Sequence, residues 1–165
     1  MKAIVAVDRN WGIGKNNGLL FSIPEDMKFF RQTTLGKVVV MGSNTLKSFP
    51  NGNPLKNRTN VVLSKTVSRD DCTVIGDLKE LLEYIKQFPS DDVYVIGGAM
   101  LYKTLLPYCS EALITKVDAD GDADVFFENL DLLPNWSCVS QGLAIETNGI
   151  NIKFTKYANS CPLNF

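Results

Sequence analysis

Asp26 stands where a carboxylate could do acid–base work. If residues 24–34, "PEDMKFFRQTT", form a helix, then Met27, Phe30 and Thr34 fall within about 40° of Ile23 around its axis. Glu25, Lys28, Arg31 and Gln32 take the opposite side, whereas Asp26 lies about 60° from the centre of that apolar stripe, on its margin. One reading is electrostatic: an acid in a first helical turn complements the positive end of the helix. Ser22-x-x-Glu25 also reads as a capping box, with Pro24 inside the first turn. The other reading is a carboxyl at the edge of an apolar site. This segment alone leaves both open.

The rest of the composition narrows the chemistry. The chain has no histidine, which removes Ser–His and Cys–His nucleophile systems and most zinc sites. Proton transfer therefore falls to Asp, Glu, Lys, Tyr, Cys or water. Cys72, Cys109, Cys138 and Cys161 form no C-x-x-C pair, and the apolar start "AIVAV" stops at Asp8, too short for the core of a secretion signal. This is the pattern of reduced thiols in a cytoplasmic protein. A net charge of −1 without a basic patch points away from nucleic acid, and no segment is long and apolar enough to suggest a membrane partner.

Three further stretches could bind a ligand. "KVVVMG" runs through Gly42 into "SNTLKSF", and "VYVIGG" runs through Gly97-Gly98 into "AMLYKTLL". Glycine where a strand becomes a helix lets backbone N–H groups approach a phosphate, or lets the two elements pack tightly. Two such junctions suit a dinucleotide, which has two phosphates. Residues 8–21, "DRNWGIGKNNGLLF", follow the first strand and carry Gly12, Gly14 and Gly18; they read as a hinged lid or as a surface loop.

These residues need a scaffold, and the chain spells one out. Apolar, β-branched runs recur at 3–8, 37–42, 60–64, 72–76, 92–98 and 112–119, several without alternation, as in strands covered on both faces. Helical patterns lie between them at 24–34, 43–49, 77–88 and 98–106. The expected fold is α/β with a mostly parallel sheet. After residue 130, "SCVSQGLAIET", the turn Asn148-Gly149 and "INIKFTKYA" predict an antiparallel strand pair at the edge. With no repeat, linker or low-complexity tract, residues 1–165 read as one domain.

In order and spacing, "IVAVDRNWGIGKNNGL", "IPEDMKFFRQTT", "KVVVMGSNTLKSF", "NVVLS", "VIGGAMLY" and "DADVFF" resemble the dihydrofolate reductases over nearly the full chain. The resemblance implies an eight-stranded sheet with four helices and NADPH-dependent reduction of 7,8-dihydrofolate, a small-molecule substrate, by a monomer. It makes Asp26 the pterin-binding carboxylate, able to accept N3–H and the 2-amino group side by side. Burial there raises a carboxyl pKa, and a water carries the proton onward to N5. Ile4, Val5 and Ile96 match pterin-pocket residues. Met27, Phe30, Phe49 and Leu55 match the walls around the aminobenzoyl ring, Thr115 the hydroxyl beside the carboxylate, and Arg58 the clamp on the glutamate tail. Cofactor contacts fall on Ala6, Ile13, Gly14, Gly42, Ser43, Asn44, Thr45, Leu63, Ser64, Lys65, Ile96, Gly97, Gly98, Ala99, Met100 and Tyr102. The peptide between Gly97 and Gly98 is implied to be cis.

The chain also departs from the family's pattern. Leu20-Phe21 replaces Pro-Trp before the helix, so Phe21 stands at a catalytic position without an indole N–H. Val125 replaces a threonine near the lid, and Ser43 and Asn44 stand where a basic residue is common, leaving Ser64 and Lys65 to grip the 2′-phosphate. Two alternatives stay in view: a same-fold reductase of another pterin-like or pyrimidine substrate, and a non-catalytic nucleotide-binding module.

Overall fold

Branched side chains pack well on a pleated surface, and the Val/Ile runs of this chain become strands. The computed structural model describes residues 1–165. In chain order the elements are β1 (Lys2–Val7), β2 (Gly12–Lys15), β3 (Gly18–Leu19), α1 (Pro24–Thr34), β4 (Val38–Gly42), α2 (Ser43–Ser48), β5 (Thr59–Leu63) and β6 (Thr73–Ile75). Then follow α3 (Leu78–Ile85), β7 (Val93–Gly97), α4 (Ala99–Leu105), β8 (Glu111–Val117), β9 (Val125–Phe126), β10 (Trp136–Gln141), β11 (Ile145–Thr147) and β12 (Ile150–Asn159).

The main sheet runs β10-β12-β8-β1-β7-β4-β5-β6. Strands β8 to β6 pair parallel, and β12 is antiparallel to β8, β10 and β11. The expected α/β sheet with an antiparallel C-terminal edge is therefore present. Asn148 and Gly149 take φ of 51° and 80°, the left-handed conformations a two-residue hairpin turn needs. The strand expected over 137–147 is instead two pieces. A register shift falls between Cys138 and Ser140, and residues 142–144 leave the ladder between β10 and β11.

Because side chains alternate along a strand, β4 splits its residues between two faces. Val38 and Val40 join a cluster of 23 buried residues that includes Leu81 and Ile85 of α3 and Leu101, Tyr102 and Leu105 of α4. Val39 and Met41 face the other way, into a cluster of four with Leu46 of α2 and Val62. A third cluster of three, Ile23, Val117 and Ile152, lies where α1 begins. The α3/α4 face is one continuous core. The α1/α2 face is two islands.

The expected capping box does not form. Proline fixes the first helical position at residue 24, so the cap falls on Ile23, which has no side-chain hydrogen bond to give. Ser22 Oγ instead lies 3.7 Å from Met27 Sδ, and Glu25 turns outward to accept from Thr147 Oγ1 at 2.6 Å. By contrast Asp77 caps α3 in the ordinary way, accepting from the Glu80 N–H at 2.8 Å.

Residues 8–21 are neither filler nor an open loop. Asn16 and Asn17, at φ 51° and 62°, turn β2 back as β3, and β9 pairs with β2 on its other side. Gly12 and Gly14 stand where the backbone approaches its neighbours closely: a Cβ on Gly12 would lie 2.4 Å from Ala123 Cβ, and one on Gly14 2.8 Å from Val125 Cγ2.

Candidate active site

Strand β8 reads "EALITKV", and its alternation sends Ala112 and Ile114 into the large core while Thr115 and Val117 face α1. Thr115 is paired in register with Ala6 of β1 and is only 2 % exposed. A hydroxyl buried at that depth needs a partner. Its Oγ1 donates to Asp26 Oδ1 at 2.7 Å. The acid that lay on the margin of the helical stripe thus turns inward onto the sheet. Burial pushes the Asp26 carboxyl above its ordinary value, against a smaller downward pull from the Thr115 bond. The proton is thereby brought nearer to neutral pH, as a general acid requires.

Tyr102 approaches the same place from α4. Its hydroxyl donates to the Ile4 carbonyl oxygen at 2.7 Å. Burial chiefly, and then the charge of Asp26, raise the Tyr102 pKa far above the usual phenol range, so it serves as a neutral donor. Ile4, Ala6, Asp26 and Thr115 therefore meet at one end of β1 and β8. Val5 does not share this face: its side chain packs against the large cluster, as do those of Ile13 and Leu63.

Around this acid the apolar surface is left open. Met27 is 57 % exposed although it belongs to the α1 stripe, and Leu19 on β3 is 81 % exposed. Phe30 is half-buried. Phe49, Leu55 and Ile96 are half-buried against the Val39/Met41 island, and Phe21 against the Ile23/Val117 island. Ile4 and Ala6 belong to neither. An α/β ligand cleft has this character: apolar walls with a few placed polar groups.

Arg58 supplies the second charge. The one hydrogen bond of its guanidinium runs from Nη1 to the Lys56 carbonyl at 3.1 Å, and its Nε is buried with no partner. Burial first, and then the neighbouring Arg31 charge, lower its pKa. A buried guanidinium N–H without an acceptor is a donor set suited to a carboxylate ligand. Sequence position alone reads Arg58 as an exposed loop residue, so the orphaned Nε is information only the fold provides.

The two glycine junctions come together. Gly42 and Gly98 cap α2 and α4 with no side-chain hydrogen bond at either start, so backbone N–H groups are left for a ligand. A Cβ on Gly42 would lie 3.9 Å from the Gly98 nitrogen, and one on Gly97 would lie 3.3 Å from Thr45 Oγ1. The Gly97–Gly98 peptide is cis. Ala99 and Met100 follow at the start of α4, with Met100 83 % exposed. Beyond β5 a cleft of about 320 Å³ is lined by Leu63, Ser64, Lys65, Gly76, Asp77 and Leu78. Ser64 Oγ there accepts from the Thr66 and Val67 N–H groups at 3.3 and 3.1 Å, which fixes it. Lys65 and Asn44 are exposed, and Ser43 is half-buried.

Two contributors escape sequence reasoning. Asp8, only 4 % exposed, accepts from the N–H groups of Asn10 and Gly12 at 2.8 and 2.7 Å and of Gly121 at 3.0 Å. Asp124 accepts from the Asn16 N–H at 3.0 Å and donates its own N–H to the Gly14 carbonyl at 2.9 Å. Together they fasten the β2–β3 hairpin to residues 121–126. The signal available was an aspartate ending an apolar strand, followed by glycines.

A family model described as dihydrofolate reductase matches residues 1–159. The dihydrofolate reductase of Bacillus subtilis is 35 % identical over 158 residues, covering 93 % of this chain and 91 % of that one. That of Haemophilus influenzae is 36 % identical over 134 residues, covering 81 % and 79 %. Among solved structures, a dihydrofolate reductase from Enterococcus faecalis complexed with NADP(H) and RAB-propyl superposes with a TM-score of 0.84 at 29 % identity, over 96 % of this chain and 95 % of that one. The sheet order, the half-buried carboxyl and these likenesses agree: the chain belongs to the dihydrofolate reductase family.

Proposed function

We propose that this chain reduces 7,8-dihydrofolate to 5,6,7,8-tetrahydrofolate with NADPH, supplying one-carbon metabolism. The observation that carries the reading is the Asp26–Thr115 pair, a half-buried carboxyl of raised pKa held at 2.7 Å against a central strand of the sheet beside an open apolar cleft. Asp26 accepts the N3–H and 2-amino group of the pterin as a fork, and Thr115 keeps its Oδ1 in place. From there it promotes delivery of a proton to N5 through a water. Met27, Phe30, Phe49 and Leu55 flank the aminobenzoyl ring, and the unpartnered Nε of Arg58 turns to the tail's α-carboxylate. The carbonyls of Ile4 and Ile96 orient the substrate's amino group, and Phe21 closes the site without an N–H of its own.

The residues present fit NADPH. The uncapped starts of α2 and α4, with Ser43, Thr45, Gly97, Gly98 and Ala99, suit the pyrophosphate. Ser64 and Lys65 suit the 2′-phosphate, with Asn44 as a neutral neighbour, and Ala6, Ile13, Gly14, Met100 and Tyr102 border the rest. When bound, NADPH supplies the hydride for C6. Residues 1–165 act as one domain and as a monomer in the cytoplasm. The single family match over 1–159 supports the one domain, and the four free cysteines suit a reducing compartment.

An absorbance assay with NADPH and dihydrofolate tests the proposal. NADPH should be consumed only when dihydrofolate is present. Consumption with a pyrimidine substrate instead would make the chain a different reductase. Binding of both ligands without turnover would make it a nucleotide-binding module.

A further inference from the structure

We propose that Thr147 and Glu25 are positioning residues for Asp26: the hydroxyl of the C-terminal hairpin fixes the first turn of α1 in place of the cap that helix lacks. The inference builds on the reading of Asp26 as the acid.

An α-helix leaves its first N–H groups without partners, and a side-chain cap ordinarily anchors that end. Here Ile23 caps nothing, Ser22 is turned away, and Pro24 has no N–H to offer. Yet this is the turn that carries the acid. It is anchored from outside, by two threonines on one ladder. Thr115 on β8 donates to Asp26 at 2.7 Å, and Thr147 on β11 donates to Glu25 at 2.6 Å. Strand β12 joins them, pairing Phe154 with Thr115 and Ile150 with Thr147. Two consecutive carboxylates of the helix are thus gripped by two hydroxyls of one rigid antiparallel unit.

Thr147 is built for the role. It stands beside the Asn148-Gly149 turn, where exposure is usual, yet is only 7 % exposed. The Thr147 bond holds Glu25 below the ordinary carboxylate range, so it remains an ionised acceptor near neutral pH. Facing Asp26, β8 presents neutral Thr115, and the Tyr102 phenol of α4 reaches the neighbouring β1 backbone from the opposite side of the sheet. On α1 itself the adjacent charge is Glu25, with Lys28 and Arg31 on the opposite side.

The test is the pH dependence of single-turnover hydride transfer in the full chain with NADPH and dihydrofolate. Thr147→Val should slow transfer at neutral pH by about fivefold, the net scale of one ordinary intramolecular hydrogen bond, because this bond reaches Asp26 only through Glu25. It should also move the midpoint to lower pH, because a loosened Asp26 gains water and its pKa falls. Thr147→Ser should restore both. Glu25→Ala, at an exposed position that tolerates truncation, should reproduce the Val effect, and the double variant should be no slower than either single one. Variants that lower Tm but leave rate and midpoint at wild-type values would overturn the proposal, as would additive effects in the double variant. If Asp26→Asn itself kept the wild-type profile, the reading of Asp26 would fall and this one with it.

Discussion

The two faces of the central sheet are made from the same kinds of strand and end in opposite conditions. On the α3/α4 side, 23 buried residues form one unbroken cluster. On the α1/α2 side the buried clusters hold only four and three residues, and Ile4 and Ala6 lie between them with Asp26 alongside. One face is closed to hold the fold; the other is left open to hold a ligand. The difference comes from a few residues. Where the filled face has Leu101 and Leu105, fully packed, the open face has Met27 more than half exposed and a carboxyl turned onto the sheet.

This division predicts which substitutions harm stability and which harm binding. Leu105→Ala, at a position with no exposure, should cost about 2–5 kcal/mol of stability. Its turnover per folded molecule should hold, as thermal unfolding and activity at low temperature can check. Met27→Ala on the open face should change stability by no more than about 0.5 kcal/mol while raising KM for dihydrofolate. Comparable stability losses for the pair would erase the distinction.

Arg58→Ala comes next. It should weaken dihydrofolate binding by about 1.5–3 kcal/mol, the scale of hydrogen bonds to a charged group. A truncated pterin without the glutamate should bind as well as before, and equal losses for both would show that Arg58 acts through the fold. The smallest effect belongs to the cleft beyond β5. Lys65 is an exposed, flexible cation, and Ser43 and Asn44 are neutral, so NADPH should be favoured over NADH by a modest margin. Lys65→Ala should narrow that margin by about 1 kcal/mol, read as a higher KM for NADPH and an unchanged one for NADH.

How much of this was legible beforehand differs by region. The filled face was read well, because uninterrupted Val/Ile runs separated by helical periods state a doubly covered parallel sheet. The turn at Asn148-Gly149 is legible from its dipeptide, whereas Asn16-Asn17, equally left-handed, sits in a stretch that reads as a lid or a surface loop. The pairing of β9 with β2 involves too few residues to show any periodicity. On the open face Asp26 was visible as an anomaly of the helical wheel, but its partner Thr115 is distant in sequence and joins it only through the fold. Ser22-x-x-Glu25 carried a cap signal that Pro24 displaced by one residue, which freed Glu25 for Thr147.

Asp26→Asn, with unfolding and hydride transfer measured together across pH, tests whether this carboxyl is kept at a cost to the fold for the sake of chemistry. Burial raises the folded-state pKa of this carboxyl above its unfolded value, so ionising it opposes folding. The wild type is free of that penalty below the unfolded value of about 3.9 and carries it in full once the pH has risen through the folded value. Asp26→Asn should transfer hydride about 100-fold or more slowly at pH 7 and lose its pH step. Its Tm at pH 7 should equal or exceed that of the wild type, with any gain vanishing in acid. Wild-type turnover in the variant, or a Tm that falls at neutral pH, would contradict this account of Asp26.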